Sequence, residues 1–213
     1  MEAIKAALPA ADGLACFNRV YLDVTQQVGS GLGQGFFADP VFTTHLDVAF
    51  AGLYFAAADA AADPAAVPLA WRPLVEQRAN PGIEPIQFAL AGINAHINHD
   101  LPIAVVSTCQ ALATSPQAAP LFADYQKVDQ LLDGAEQSIR QSFESAPELA
   151  ADRHLAAVAN LIGNWSIAAA RDLAWNNCLL LWTVRDDPIG RGLVLDTLAA
   201  STALASQLLL VAI

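Results

Sequence analysis

The sequence predicts an all-α protein, a single bundle of six to seven helices with a kinked central helix, and three observations predict it. Alanine, leucine and other apolar residues recur at intervals of three and four along almost the whole chain. Alternating β-branched runs are nearly absent, and the interruptions fall at proline and glycine. With 213 residues, 55% of them hydrophobic, and no internal repeat, one domain over residues 1–213 is expected.

The elements follow from caps and breaks. Asp12 caps a first helix that carries Leu14, Phe17, Tyr21, Val24 and Val28 on one face and ends in "GSGLGQG", with Arg19 and Asp23 on its solvent side. A second starts after "ADP" near Pro40 and runs through Tyr54 to about Asp59. "VPLAWRPLVEQR" makes a short third, and "NPGIEP" introduces the long fourth. A fifth covers "PLFADYQKVDQLLDGAEQSIRQSFE", the most charged and so the most exposed. The sixth runs from about Pro147 to Arg185, and the seventh follows "DDPIG" to the end of the sequence. That last stretch is apolar, but it carries Asp196 and a series of Thr, Ser and Gln on a helical period, so a packed helix is expected rather than a membrane span.

Charge and composition narrow the partners. Charged residues are 15% of the chain, against about a quarter in an ordinary soluble domain. The interior is therefore large or some surface is apolar, and a homo-oligomer interface is a natural place for such surface. The net charge of −11, without a basic run, makes nucleic acid and membranes poor partners, since phosphate must be neutralised by Lys and Arg. The N-terminus has no basic segment followed by an apolar one, and Cys16, Cys109 and Cys178 lie far apart in apolar helical patterns. Reduced core thiols in a cytoplasmic protein are the expectation.

The fourth helix holds the candidate site. Successive residues on an α-helix turn by about 100°, so residues four apart share a face. In "QFALAGINAHINHDLP" the apolar stripe is Ile86, Leu90, Ile93, Ile97 and Leu101. His96 and Asp100 flank it on one side; Gln87, Asn94 and Asn98 flank it on the other, and His99 points further round. His96 and Asp100 are an i, i+4 pair, able to touch or to offer two ligand atoms to one ion. Pro102 has no N–H to give the Asn98 carbonyl, so the helix should kink and free an oxygen at that level.

Two more carboxylates sit on apolar faces by the same reckoning. Asp47 goes with Phe50, Ala51 and Tyr54, and Asp172 with Trp165, Ala168, Ala169, Trp175 and Asn176. A buried carboxylate needs a partner such as His96, Arg72, Arg171, a tyrosine hydroxyl or a metal. For both the structural and functional readings stand level. His45, His99 and His154 combine no apolar face with a carboxylate partner and read as surface histidines. The plain alternative for the central cluster is a hydrogen-bonded pair and asparagines that cross-link helices.

The runs "ACFNRVYLDVT", "FFADPVF", "LDVAFAGLYFAA", "VPLAWRPLVE", "PIQFALAGINAHINHDLPIAVV" and "WSIAAARDLAW" resemble an uncharacterised actinobacterial family of unknown function, DUF5995, over nearly the whole chain. That resemblance implies no activity. Locally, "AGINAHINHDLP" is similar to the "G, x, x, A, H, x, x, x, D" helix of zinc-dependent phospholipases C and single-strand nucleases, where the histidine and aspartate are both ligands. This similarity implies metal binding by His96 and Asp100, joined by Asp47, with Asp172 as a further candidate. The chain lacks that family's N-terminal tryptophan ligand and second histidine helix, so one or two divalent ions, zinc or iron, replace a trinuclear centre. No E-x-x-H, HExxH, P-loop, GxSxG or GxGxxG occurs.

The leading expectation is thus a metal-dependent hydrolase of a small molecule. Its catalytic set would be His96, Asp100, Asp47, Tyr54 and Arg171, with Asn94, Asn98, Tyr21, Trp71, Asp172 and Trp175 around the substrate. A metal-free isomerase or cyclase of specialised metabolism, moving protons with the Asp–His pair, is the alternative. A non-catalytic binding or oligomer-forming protein is a third, and it requires a filled interior beside His96.

Overall fold

Short polar side chains start the helices where the sequence places them. In the computed structural model, which describes residues 1–144 and 166–212, Asp12 accepts the Leu14 N–H at 2.9 Å and opens helix α2, Gly13–Gly33, behind a short α1, Glu2–Ala7, that the sequence reading omits. Asp39 accepts the Phe42 N–H at 2.9 Å ahead of Pro40 and opens α3, Pro40–Ala60. A short α4, Arg72–Gln77, precedes α5, Pro85–Ala95. A π turn at His96–Asp100 joins α5 to α6, Leu101–Ala111. α7 is Leu121–Glu144, α8 is Ile167–Thr183 and α9 is Pro188–Leu209, the last two capped by Ser166 and Asp187. The described residues contain no strand, as expected. The start of the sixth expected helix near Pro147, with His154 and Trp165, lies outside the described residues.

The interruption expected at Pro102 is the π turn. Without an N–H at residue 102 the α-helical ladder fails there, and the Leu101 N–H reaches back five residues to the His96 carbonyl. α5 packs between α2 and α9, whereas α6 packs between α3 and α8. The α2–α5 crossing is close at two reciprocal points. A Cβ on Gly92 would lie 2.4 Å from Phe17 Cγ, and one on Gly13 would lie 2.7 Å from the Phe88 ring. Each glycine makes room for the other helix's phenylalanine.

The two flanks of the central helix do different work. Gln87 Nε2 donates to the Leu209 and Val211 carbonyls, and Asn94 Nδ2 donates to the Thr202 carbonyl and Ser206 Oγ, so that flank fixes the register of α9. α3 and α9 are each long and apolar enough to cross a bilayer by length and composition. In this fold α9 turns Leu198, Thr202, Ala203, Ser206 and Leu209 inward. The thiols of Cys16, Cys109 and Cys178 are free and buried.

Candidate functional site

The π turn brings both of its histidines to Asp100. His96 Nδ1 lies 3.0 Å from Asp100 Oδ2, the Trp71 indole N–H donates to the same oxygen at 2.9 Å, and His99 Nδ1 lies 2.7 Å from Oδ1. His99 is thus half-buried on Asp100, which corrects its reading as a surface histidine. Neighbours in sequence do not face one another on a regular α-helix, and the inserted residue of the π turn alters that geometry. His45 is exposed, as expected.

Asp100 is 2% exposed. Burial works to raise its pKa, but the hydrogen bonds from His96 and His99 outweigh it and hold the carboxyl below its ordinary value. An ionised carboxylate only accepts, so the bonding network assigns the Nδ1–H tautomer to His96 and leaves the lone pair on Nε2. Burial lowers the His96 pKa, with the Asp100 hydrogen bond and charge opposing it. The ring is therefore neutral at neutral pH. It stacks on Phe50, with centroids 3.6 Å apart and planes 6° apart, and meets Tyr21 edge-on at 4.4 Å and Phe17 at 5.6 Å.

Beside this ring lies a largely apolar cavity of about 100 Å³ between α2, α3, the π turn, α7 and α8. Its wall includes Val20, Val24, Phe42, Leu46, Ile97 and Leu132, and its polar lining includes Tyr21, Asp47, His96 and Arg171. Two buried polar atoms of its lining have no hydrogen-bond partner among the described residues: His96 Nε2 and the Tyr21 hydroxyl. The Thr25 hydroxyl beside Tyr21 is committed to the Tyr21 carbonyl at 2.9 Å. Burial, and then the Asp47 charge, push the Tyr21 pKa well above its ordinary value, so it keeps its proton. Burial also raises the pKa of Asp47.

Of the residues the sequence singles out, His96, Asp47, Tyr21 and Arg171 meet in this cavity, and Asp100 stands behind His96. Arg171 is buried with its charge engaged: it donates to Asp129 and to the Tyr125 carbonyl and covers the Tyr125 ring at 4.1 Å. Trp71 serves Asp100, and the Tyr54 hydroxyl donates to Asn18 at 3.1 Å in the core, so neither faces the cavity. Asn94 is committed to α9, with Asn98 donating to its Oδ1 at 2.8 Å. Trp175 packs on Phe122 and Tyr125. Asp172 is exposed, contrary to its expected apolar face. The buried face of α8 is Ile167, Arg171, Ala174, Trp175, Cys178 and Leu181, about 100° round from the stripe assumed, because a paired arginine occupies an interior position.

The expected metal ligands do not converge as a pair. Both Asp100 oxygens and His96 Nδ1 are taken by hydrogen bonds, leaving His96 Nε2 and Asp47 as the ligand types at the head of the cavity. Among the described residues no group of three or more His, Cys, Asp or Glu is placed to hold an ion. The sequence reading missed Phe50 as the stacking partner of His96 and His99 as a donor to Asp100. Phe50 was detectable, since it shares the Asp47 face; His99 was not, without the π turn.

A family model described as a family of unknown function, DUF5995, matches residues 1–212 of the chain. No curated protein and no solved structure matches it.

Proposed function

We propose, for a chain that belongs to the DUF5995 family of unknown function, an enzyme that moves a proton on a small and largely apolar molecule, with His96 as general base. The observation that carries this reading is the unpartnered Nε2 of a buried, neutral histidine beside an apolar cavity, its other nitrogen held by a buried aspartate. An Asp–His pair of this form sets the tautomer and stabilises the imidazolium when the ring takes a proton. Asp100 positions His96, and Trp71 and His99 position Asp100. The apolar walls strengthen any charge that develops and keep water from the base.

This supports isomerisation or cyclisation over metal-dependent hydrolysis. A catalytic zinc uses three protein ligands and an open position, and the donor set at the head of the cavity offers His96 Nε2 and Asp47. A purely structural role for the cluster needs a filled interior, and a cavity adjoins His96.

A generic carbon acid tests the base without knowledge of the natural substrate. In 5-nitrobenzisoxazole, removal of the C3 proton breaks the N–O bond and releases a coloured cyanophenolate. Wild type should open the ring about a hundredfold faster than His96→Gln, the lower end of what a positioned base contributes. Its rate should rise with pH through the lowered His96 pKa and level off above about 6.5. Chelator treatment should leave the rate unchanged. Equal rates in wild type and in a folded His96→Gln variant would remove the general-base assignment.

A further inference from the structure

Resting on that reading of the pocket, we infer that the cavity recognises a neutral hydroxyl group, alcohol, phenol or enol, carried on an apolar body. The inference comes from the hydrogen-bonding sense of the two unpartnered atoms of its lining. Asp100 takes the Nδ1 proton of His96, so Nε2 can only accept. The Tyr21 hydroxyl has a proton to give and makes no hydrogen bond among the described residues; the Thr25 hydroxyl beside it, a donor to the Tyr21 carbonyl, is close enough to act against the rise in the Tyr21 pKa but lies outside hydrogen-bond geometry. The two rings meet edge-on at 4.4 Å, so both side chains line the same part of the cavity. Buried polar atoms are almost always satisfied, and here one acceptor and one donor await the same visitor.

A single oxygen that both accepts and donates satisfies the pair: it takes the Tyr21 proton and gives its own to Nε2. An ether or ketone oxygen accepts from Tyr21 but leaves Nε2 unpaired. A carboxylate donates nothing and brings its charge against the Nε2 lone pair and toward Asp47. The one cation in the lining among the described residues, Arg171, is already held by Asp129 and the Tyr125 carbonyl, and Asp124 by Lys127 and the Ala38 and Asp39 N–H groups. The wall of valine, leucine, isoleucine and phenylalanine sets the remainder of the ligand as hydrocarbon. In the proton-transfer chemistry proposed above, the same contact delivers the hydroxyl proton to His96 while Tyr21 holds the oxygen.

Isothermal titration calorimetry with 2-naphthol, 2-methoxynaphthalene and 2-naphthoate separates these groups on one skeleton. 2-Naphthol should bind wild type at least tenfold tighter than the other two, and Tyr21→Phe should bring it down to the level of the ether. An ether or carboxylate within about twofold of naphthol would overturn the hydroxyl assignment while leaving the pocket as a ligand site. If none of the three binds wild type, the pocket reading and this inference fall together. A naphthol preference that persists in the absence of ring-opening activity would uphold the recognition and remove the base.

Discussion

Asp100→Asn is the sharpest test of the buried hub, because it removes a charge without changing size. Three N–H donors converge on the carboxylate, from Trp71, His96 and His99. Hydrogen bonds to a charged group contribute about 1.5–3 kcal/mol, against about 0.5–1.5 for neutral ones, so each retained bond weakens by about 1 kcal/mol. The amide oxygen can keep Trp71 and His96, while the amide NH₂ faces His99, which must switch tautomer to accept. No cavity is created, and half-buried His99 can turn in part to water. The expected loss is therefore about 2–3 kcal/mol, the sum over the weakened bonds. Urea melts at pH 7 should show a lower midpoint with an unchanged slope. The folded pKa of Asp100 lies below its ordinary value, so its contribution is present above about pH 4 and is lost as pH falls through the folded value. The gap between wild type and variant should accordingly narrow at acid pH. A loss below about 0.5 kcal/mol at pH 7 would refute the hub, since it would mean that three charge-assisted bonds contribute nothing net.

His96 titrates with the same sign in a higher window. Its folded pKa is lowered, so below about 6.5 the unfolded chain binds a proton that the folded ring refuses, and stability should fall from pH 7 to pH 5. Comparing melts of wild type and His96→Phe, which retains an aromatic ring against Phe50, should show this share of the pH dependence disappear in the variant. On the opposite flank, Asn94→Ala removes the bonds to Thr202, Ser206 and Asn98 and should cost about 1–3 kcal/mol while leaving 2-naphthol binding unchanged. Exposed Asp172→Asn should stay within about 0.5 kcal/mol of wild type in the same melts.

Much of this was legible because it is local. Asp12, Asp39 and Asp187 announce helix starts through their own side chains, and His96 and Asp100 meet because they are four residues apart. The division of the central helix into two flanks also follows from angle alone. What the sequence could not supply is what lies across each flank. Asn94 carries as much polarity as His96, yet its partners 108 and 112 residues away on α9 make it a fastener, and Asn98 donates to its Oδ1. Trp71 reads as aromatic wall until its indole N–H is seen on Asp100. Arg171 and Asp172 are adjacent, and only the pairing of Arg171 with Asp129 from α7 decides which of them goes inside.

The π turn has a consequence for the chain as a length of helix. One added residue between Ala95 and Leu101 shifts the phase of everything that follows, so a single rod presents one stripe to α2 and α9 before the shift and another to α3 and α8 after it. Two partnerships that would otherwise need two helices and a loop are served by one axis. Deleting any one residue from 96 to 100 would restore an unbroken α-helical count and turn α6 by about 100°, carrying Val105 and Cys109 away from the interior. The spacing across this segment is therefore as much a part of the fold as the side chains it carries.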